Sequence, residues 1–343
     1  MNLKIKRRTF GKLAIISTAV TTGLANFVSR VFAQQSEQLY GVLLSSTSSS
    51  ETEDLVDAAA ANTTPGIVLQ VIDVANLTTQ EPSTAQISEA TVSNLQDATE
   101  TVPKALVVKK PSERITGFTI LSDNTFVIST VAATKSGDFS RLIFSDPLKQ
   151  NEKKSPKKRL KVKKVNNQKY KYTTVESLLA ITVDNKKDDN QLLSVISLSG
   201  GGTPFEVAFI DSSSGQIDAS AATGLPELSP QERLSNLAQS PDGKIYATNV
   251  GGQGGVSLVA LDLANKALVT GRGKKIRLVG LSFNNKPLEN DLASLAFSSS
   301  GQLFALANPS YEETNSLFIV DVKTGELTLL RKFAVDKITL GRA

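Results

Sequence analysis

The feature that most constrains this chain is a two-strand unit that recurs five times. Its first half is a polar turn leading into an alternating run, clearest at Ser240-Pro241-Asp242-Gly243-Lys244-Ile245-Tyr246-Ala247 and again at Ser299-Ser300-Gly301-Gln302-Leu303-Phe304-Ala305. Weaker copies start at Ser122-Asp123-Asn124 and Asp188-Asp189-Asn190, and Gln38-Leu39-Tyr40-Gly41 enters the same pattern without its turn. The second half is an apolar strand ending in Asp, at Asp73, Asp146, Asp211, Asp262 and Asp321. From Phe126, Leu193, Tyr246 and Phe304 to that Asp is 20, 18, 16 and 17 residues; from Tyr40 it is 33. Asp-Gly and Ser-Gly supply the positive φ that tight hairpins need. A single hairpin cannot bury its apolar face alone, so repeated units must stack.

Val, Ile, Leu, Thr and Ser with scattered Gly favour strands, and helical periodicity is confined to residues 51–62, where Ser50 offers a cap. The expectation is an all-β chain of five four-stranded blades, or six if region 77–114 holds a diverged one. Leu39–Leu44 would be the second strand of the first blade. The C-terminal segment Asp336-Lys337-Ile338-Thr339-Leu340 would supply its missing innermost strand and close the ring, removing the open edges of a linear stack. In Ser240-Pro241-Asp242-Gly243-Lys244-Ile245-Tyr246-Ala247 and Val320-Asp321-Val322-Lys323-Thr324-Gly325-Glu326-Leu327 the chain resembles β-propellers of the YVTN/lactonase-like or NHL-like kind. A run of hairpins in two β-sandwich domains is the competing architecture.

Lys6-Arg7-Arg8-Thr9-Phe10-Gly11-Lys12 resembles the twin-arginine export motif, with Arg7, Arg8, Phe10 and Lys12 in the matching places. A moderately apolar run, Leu13 to Val28, and Val31-Phe32-Ala33 follow, so residues 1–33 read as a signal peptide cleaved after Ala33. The run is shorter than the roughly 20 residues of a membrane-spanning helix, and no transmembrane span is expected after cleavage. The resemblance implies a periplasm, a thylakoid lumen or the cell exterior. Residues 34–343 are then expected to form one propeller domain.

The chain has no His, Cys or Trp. That excludes thiolate and imidazole metal sites, disulfides and any nucleophile activated by an imidazole base. Its charge is unevenly placed. Residues 1–33 carry +6 and residues 149–171 carry +10, so a chain of net +5 leaves −11 for the remainder. From Arg159 the basic segment alternates, with Arg159, Lys161 and Lys163 on one strand face and Leu160 and Val162 on the other. After Asn166-Asn167, Lys169 and Lys171 alternate with Tyr170 and Tyr172, which predicts a cationic hairpin. Lys157, Lys158, Arg159, Lys161, Lys163, Lys164, Lys169 and Lys171 are the candidate anion contacts. Their partner would be an anionic lipid surface, an acidic polysaccharide or an acidic protein, and export disfavours nucleic acid. The competing reading is an outer strand whose lysines block edge-to-edge pairing, although that takes one or two lysines rather than eleven basic groups.

No local constellation marks a catalytic site, and no cofactor is expected. The repeated Asp residues stand where Asp bonds the N–H groups of a following turn. Asp184–Asn190 has calcium-like composition without the spacing of a calcium loop, and its two lysines oppose a cation. The expectation is therefore a non-catalytic binding or scaffold propeller. The alternative is a propeller hydrolase or lactonase with a carboxylate or calcium site at the channel mouth.

Overall fold

The computed structural model describes residues 37–45, 66–78, 83–87, 113–132, 138–145, 161–164, 174–181, 191–199, 202–218, 231–252, 254–262 and 274–342. The signal-peptide residues, the segment 51–62 and most of the basic segment lie outside them. The described residues form five sheets and no α-helix. Sheet one holds β1 (Glu37–Ser45), β2 (Gly66–Asp73) and β3 (Ser83–Ile87). Sheet two holds β4 (Glu113–Ile120), β5 (Phe126–Ala132), β6 (Phe139–Ser145) and β7 (Lys161–Lys164). Sheet three holds β8 (Thr174–Ala180), β9 (Gln191–Ser199), β10 (Gly202–Asp211) and β11 (Ile217–Asp218). Sheet four holds β12 (Arg233–Gln239), β13 (Ile245–Val250), β14 (Val256–Asp262) and β15 (Lys274–Gly280). Sheet five adds the hairpin β16 (Ser282–Phe283) and β17 (Lys286–Pro287) to β18 (Ser294–Phe297), β19 (Leu303–Ala307), β20 (Ser316–Val320) and β21 (Glu326–Lys332). The last strand, β22 (Lys337–Arg342), returns to sheet one and pairs antiparallel with β1 from Glu37↔Arg342 to Val42↔Lys337.

Each sequence repeat is the middle pair of one sheet. Tyr40, Phe126, Leu193, Tyr246 and Phe304 lie on the second strands, and the Asp residues stand at or just after the ends of the third. Three of them, Asp73, Asp211 and Asp321, bond turns, as their position predicts. Asp73 accepts from the Ala75 N–H at 2.9 Å, and Asp321 from the Lys323 and Thr324 N–H groups at 2.8 and 3.2 Å. The Ser213 hydroxyl and the Ser214 N–H hold the Asp211 carboxyl below its usual range, and the Lys323 N–H does the same for Asp321.

Five apolar clusters join consecutive sheets, and the fifth joins sheet five to sheet one. Phe118, Phe126 and Ile128 pack with Val42 and Leu69 of sheet one, whereas Val127 packs with Val175 and Leu192 of sheet three. Phe205 and Phe209 meet Leu234 and Leu261; Leu258 meets Leu303 and Phe318; Phe304 and Phe333 meet Leu39 and Ile338. Both faces of a middle strand are thus covered. That is why Phe126–Val131 is buried without interruption instead of alternating. Burial of each such side chain is worth about 1.5–3 kcal/mol.

The first strands of the sheets, β22, β4, β8, β12 and β18, touch their neighbours in cyclic order. The approach between β4 and β8 is close enough to require Gly117. A Cβ there would lie 2.8 Å from the Leu178 backbone nitrogen and 2.6 Å from the Leu178 Cβ. Asp336 clasps the closing strand: its N–H donates to the Val42 carbonyl at 2.8 Å and its carboxylate accepts from the Leu44 N–H at 2.9 Å.

Candidate functional site

The starts of the five first strands bring five charges together: Lys337, Arg114, Glu176, Arg233 and Asp291, from sheets one to five in order. Three of these strands open on the same four-residue pattern of acid, cation, aliphatic and hydroxyl. It reads Glu113-Arg114-Ile115-Thr116, Glu232-Arg233-Leu234-Ser235 and Asp336-Lys337-Ile338-Thr339. The acid of each pattern ties its strand down. Glu113 accepts from Thr130 at 2.6 Å and from Arg141; Glu232 accepts from Lys275 at 2.6 Å; Asp336 holds Leu44. The cation is left for the centre.

There the cations meet carboxylates of the next sheet. Arg114 Nη2 donates to both Glu176 oxygens at 2.8 Å, and Glu176, with only 2% of its side chain exposed, also accepts from the Thr174 hydroxyl at 2.7 Å. Arg233 Nε lies 3.8 Å from Asp291 Oδ2, with its guanidinium 5.9 Å from the centre of the Phe205 ring. Asp291 accepts from the Thr248 hydroxyl at 2.9 Å, from Ser235 and from Asn236. Lys337 Nζ donates to the Ala293 carbonyl and, at 3.4 Å, to Asn236 Oδ1.

Bulges aim two of these groups inward. The pairing skips Glu176 between Val175 and Ser177, and skips Asn236-Leu237 between Ser235 and Ala238. Buried Asn236 is held at φ 53° by bonds from its amide to the Leu292 carbonyl at 2.6 Å and to Thr248 at 3.0 Å. Asparagine is among the few residues that tolerate this region.

Burial pushes the Lys337 ammonium down to about 8, with Arg233 and Arg114 pushing the same way and Asp291 and Glu176 opposing. The usual value is 10.5, so between pH 8 and 10.5 the unfolded chain binds more protons than the folded one. Stability is therefore expected to climb as pH rises through that window. Thermal unfolding of the protein and of Lys337→Met at pH 7, 8, 9 and 10 checks this. The climb should be smaller in the variant, and identical profiles would refute the assignment.

Of the residues singled out in the sequence, Arg7, Arg8, Phe10, Lys12, Ala33, Lys157, Lys158, Arg159, Lys169 and Lys171 lie outside the described residues. So does the turn expected at 166–167. Lys161, Lys163 and Lys164 fall on β7, the terminal strand of sheet two, opposite Phe144, Leu142 and Arg141 of β6. The charged centre was missed. Its detectable signal was the repeated acid–cation–aliphatic–hydroxyl pattern, which a search for turns and Asp-ended strands passes over.

Glu176 and Asp291 are each set against an arginine, and among the described residues no group of three or more acidic side chains is placed to hold a metal. A separate cavity of about 300 Å³ lies beside the β16–β17 hairpin, lined by Phe283, Asn284, Pro287 and Tyr311 among others. Among the described residues no helix is long and apolar enough to cross a membrane.

No protein-family model matches the chain, and no curated protein matches it. Among solved structures it is similar to a protein of unknown function from Bacteroides caccae, at 10% identity over 81% of this chain and 83% of that one, with a TM-score of 0.35. It is also similar to Kuenenia stuttgartiensis hydrazine synthase, at 13% identity over 75% and 73%, with a TM-score of 0.36. Likeness at this level carries no inference about what the chain does.

Proposed function

We propose that the chain is an exported five-bladed β-propeller that acts as a non-catalytic binding or scaffold module and meets an anionic partner through its basic segment. The blade count is supported by the five clusters between consecutive sheets and the cyclic contact of the first strands. A non-catalytic role is supported by the use of Glu176 and Asp291 as counterions. Export by the twin-arginine route rests on Arg7, Arg8, Phe10 and Lys12, and processing on Ala33.

The observation that carries the binding role is the place of Lys161–Lys164 in the fold. They form the last strand of sheet two, bonded to β6 and to no further strand among the described residues. Among the described residues that strand has one unpaired edge, and the sequence segment it belongs to, residues 149–171, carries ten net positive charges. Each basic group near an anionic membrane contributes about 1 kcal/mol.

The test uses protein from the exported fraction, with Gln34 as its expected first residue. It should bind liposomes rich in anionic lipid, or acidic polysaccharide, more than neutral liposomes, and lose binding as salt rises from low to moderate. Neutralising Lys157, Lys158, Arg159, Lys161, Lys163 and Lys164 together should weaken binding by roughly ten-thousandfold on that per-charge contribution. Binding that ignores salt, or survives the six substitutions, refutes the role.

A further inference from the structure

The five charges at the centre form a cycle with an odd number of members, and an odd cycle cannot alternate in sign all the way round. From Arg114 it runs positive, negative, positive, negative, positive: Arg114, Glu176, Arg233, Asp291, Lys337. It then returns to Arg114 with two cations as neighbours and no carboxylate between them. The strands that carry this pair, β22 and β4, pack on each other, and Arg114 and Lys337 are close enough to repel.

Both cations keep donors to give: the Lys337 ammonium has three N–H groups and gives two, to the Ala293 carbonyl and to Asn236 Oδ1. Arg114 spends only Nη2 on Glu176; its Nε and Nη1 N–H groups make no hydrogen bond among the described residues, and 49% of its side chain is exposed. Arg233, the next cation round the cycle, is 48% exposed and touches Asp291 only through the 3.8 Å approach. The two carboxylates are far more enclosed, at 2% and 14%. What the centre offers to solvent is therefore mostly guanidinium, on a cycle of net charge +1. A planar guanidinium with free N–H groups matches the paired oxygens of a carboxylate or phosphate.

We propose that a small oxyanion, a carboxylate or a phosphate, binds between Arg114 and Lys337 and completes the alternation, as a ligand site at the centre of the five first strands. The site is independent of the basic segment, so either can fail while the other stands.

Sodium acetate and inorganic phosphate are titrated into the full chain at constant ionic strength, with sodium chloride as the balancing salt, while the unfolding temperature and the heat of binding are followed. A saturable response to acetate identifies the ligand chemistry as carboxylate, and one to phosphate as phosphoryl; either supports the site. Lys337→Gln should weaken that binding at least tenfold, and Arg114→Lys, which keeps the charge but loses the fork, should weaken it as well. Lys323→Gln, on an exposed turn of sheet five, should leave it unchanged. If both anions act no differently from chloride, or if Lys337→Gln binds as the parent does, the proposal is overturned.

Discussion

Removal of residues 334–343 is expected to lower the unfolding temperature by more than about 10 °C. The deletion takes away β22 with its whole ladder to β1, the buried Val335 and Ile338, and the Asp336 clasp on Val42 and Leu44. Loss of a buried aliphatic side chain costs about 2–5 kcal/mol, and in a protein of this size each kcal/mol moves the midpoint by roughly 1.5 °C. Beyond those contacts, β1 would become an open edge and the cluster joining sheets five and one would lose one wall. Calorimetry of the truncated chain decides it, together with Ile338→Asp in the full chain, which keeps the length and spoils the same cluster. A fall of less than about 3 °C for both would mean that β22 does not hold sheets five and one together.

Asp291→Ala is expected to destabilise the fold by about 3–5 kcal/mol, the range for breaking a buried charge from its partners. Most of this does not come from Arg233, whose exposure makes that pair worth little. It comes from the hydroxyls of Ser235 and Thr248, which lose their charged acceptor and keep only each other and the Ser235 carbonyl, and from Lys337, which loses its main opposing charge while remaining desolvated. Adding Lys337→Met to Asp291→Ala should therefore recover a substantial part of the loss. Urea unfolding of the two single variants and the double variant forms the cycle. Additive losses would show that Asp291 and Lys337 do not act on each other.

Much of the sheet architecture was legible because its signals are local. Ser240-Pro241-Asp242-Gly243 and Ser299-Ser300-Gly301 form turns between first and second strands: the Gly243 N–H donates to the Ser240 carbonyl at 2.9 Å, and the Gly301 N–H to the Ser298 carbonyl at 3.0 Å. Gly243 and Gly301 take the positive φ of 83° and 87° that such turns need. The pairing of the C-terminal strand with Leu39–Leu44 was also readable, since a second strand without a first must find one elsewhere. The β16–β17 hairpin was not, because two-residue strands carry no periodicity.

Strand-rich composition, strands in five similar groups, and a large positive charge set apart from an acidic remainder were all legible before any fold was known. Each follows from neighbouring residues: turn chemistry, strand-forming side chains, and charges counted in place. Only the tertiary structure decided which charges face one another. Consecutive members of the set Arg114, Glu176, Arg233, Asp291 and Lys337 stand 46 to 62 residues apart, and although a local pattern marks the three cations, nothing along the chain pairs them with Glu176 and Asp291. They meet because five first strands touch in a cycle, and two cations are left side by side because five is odd.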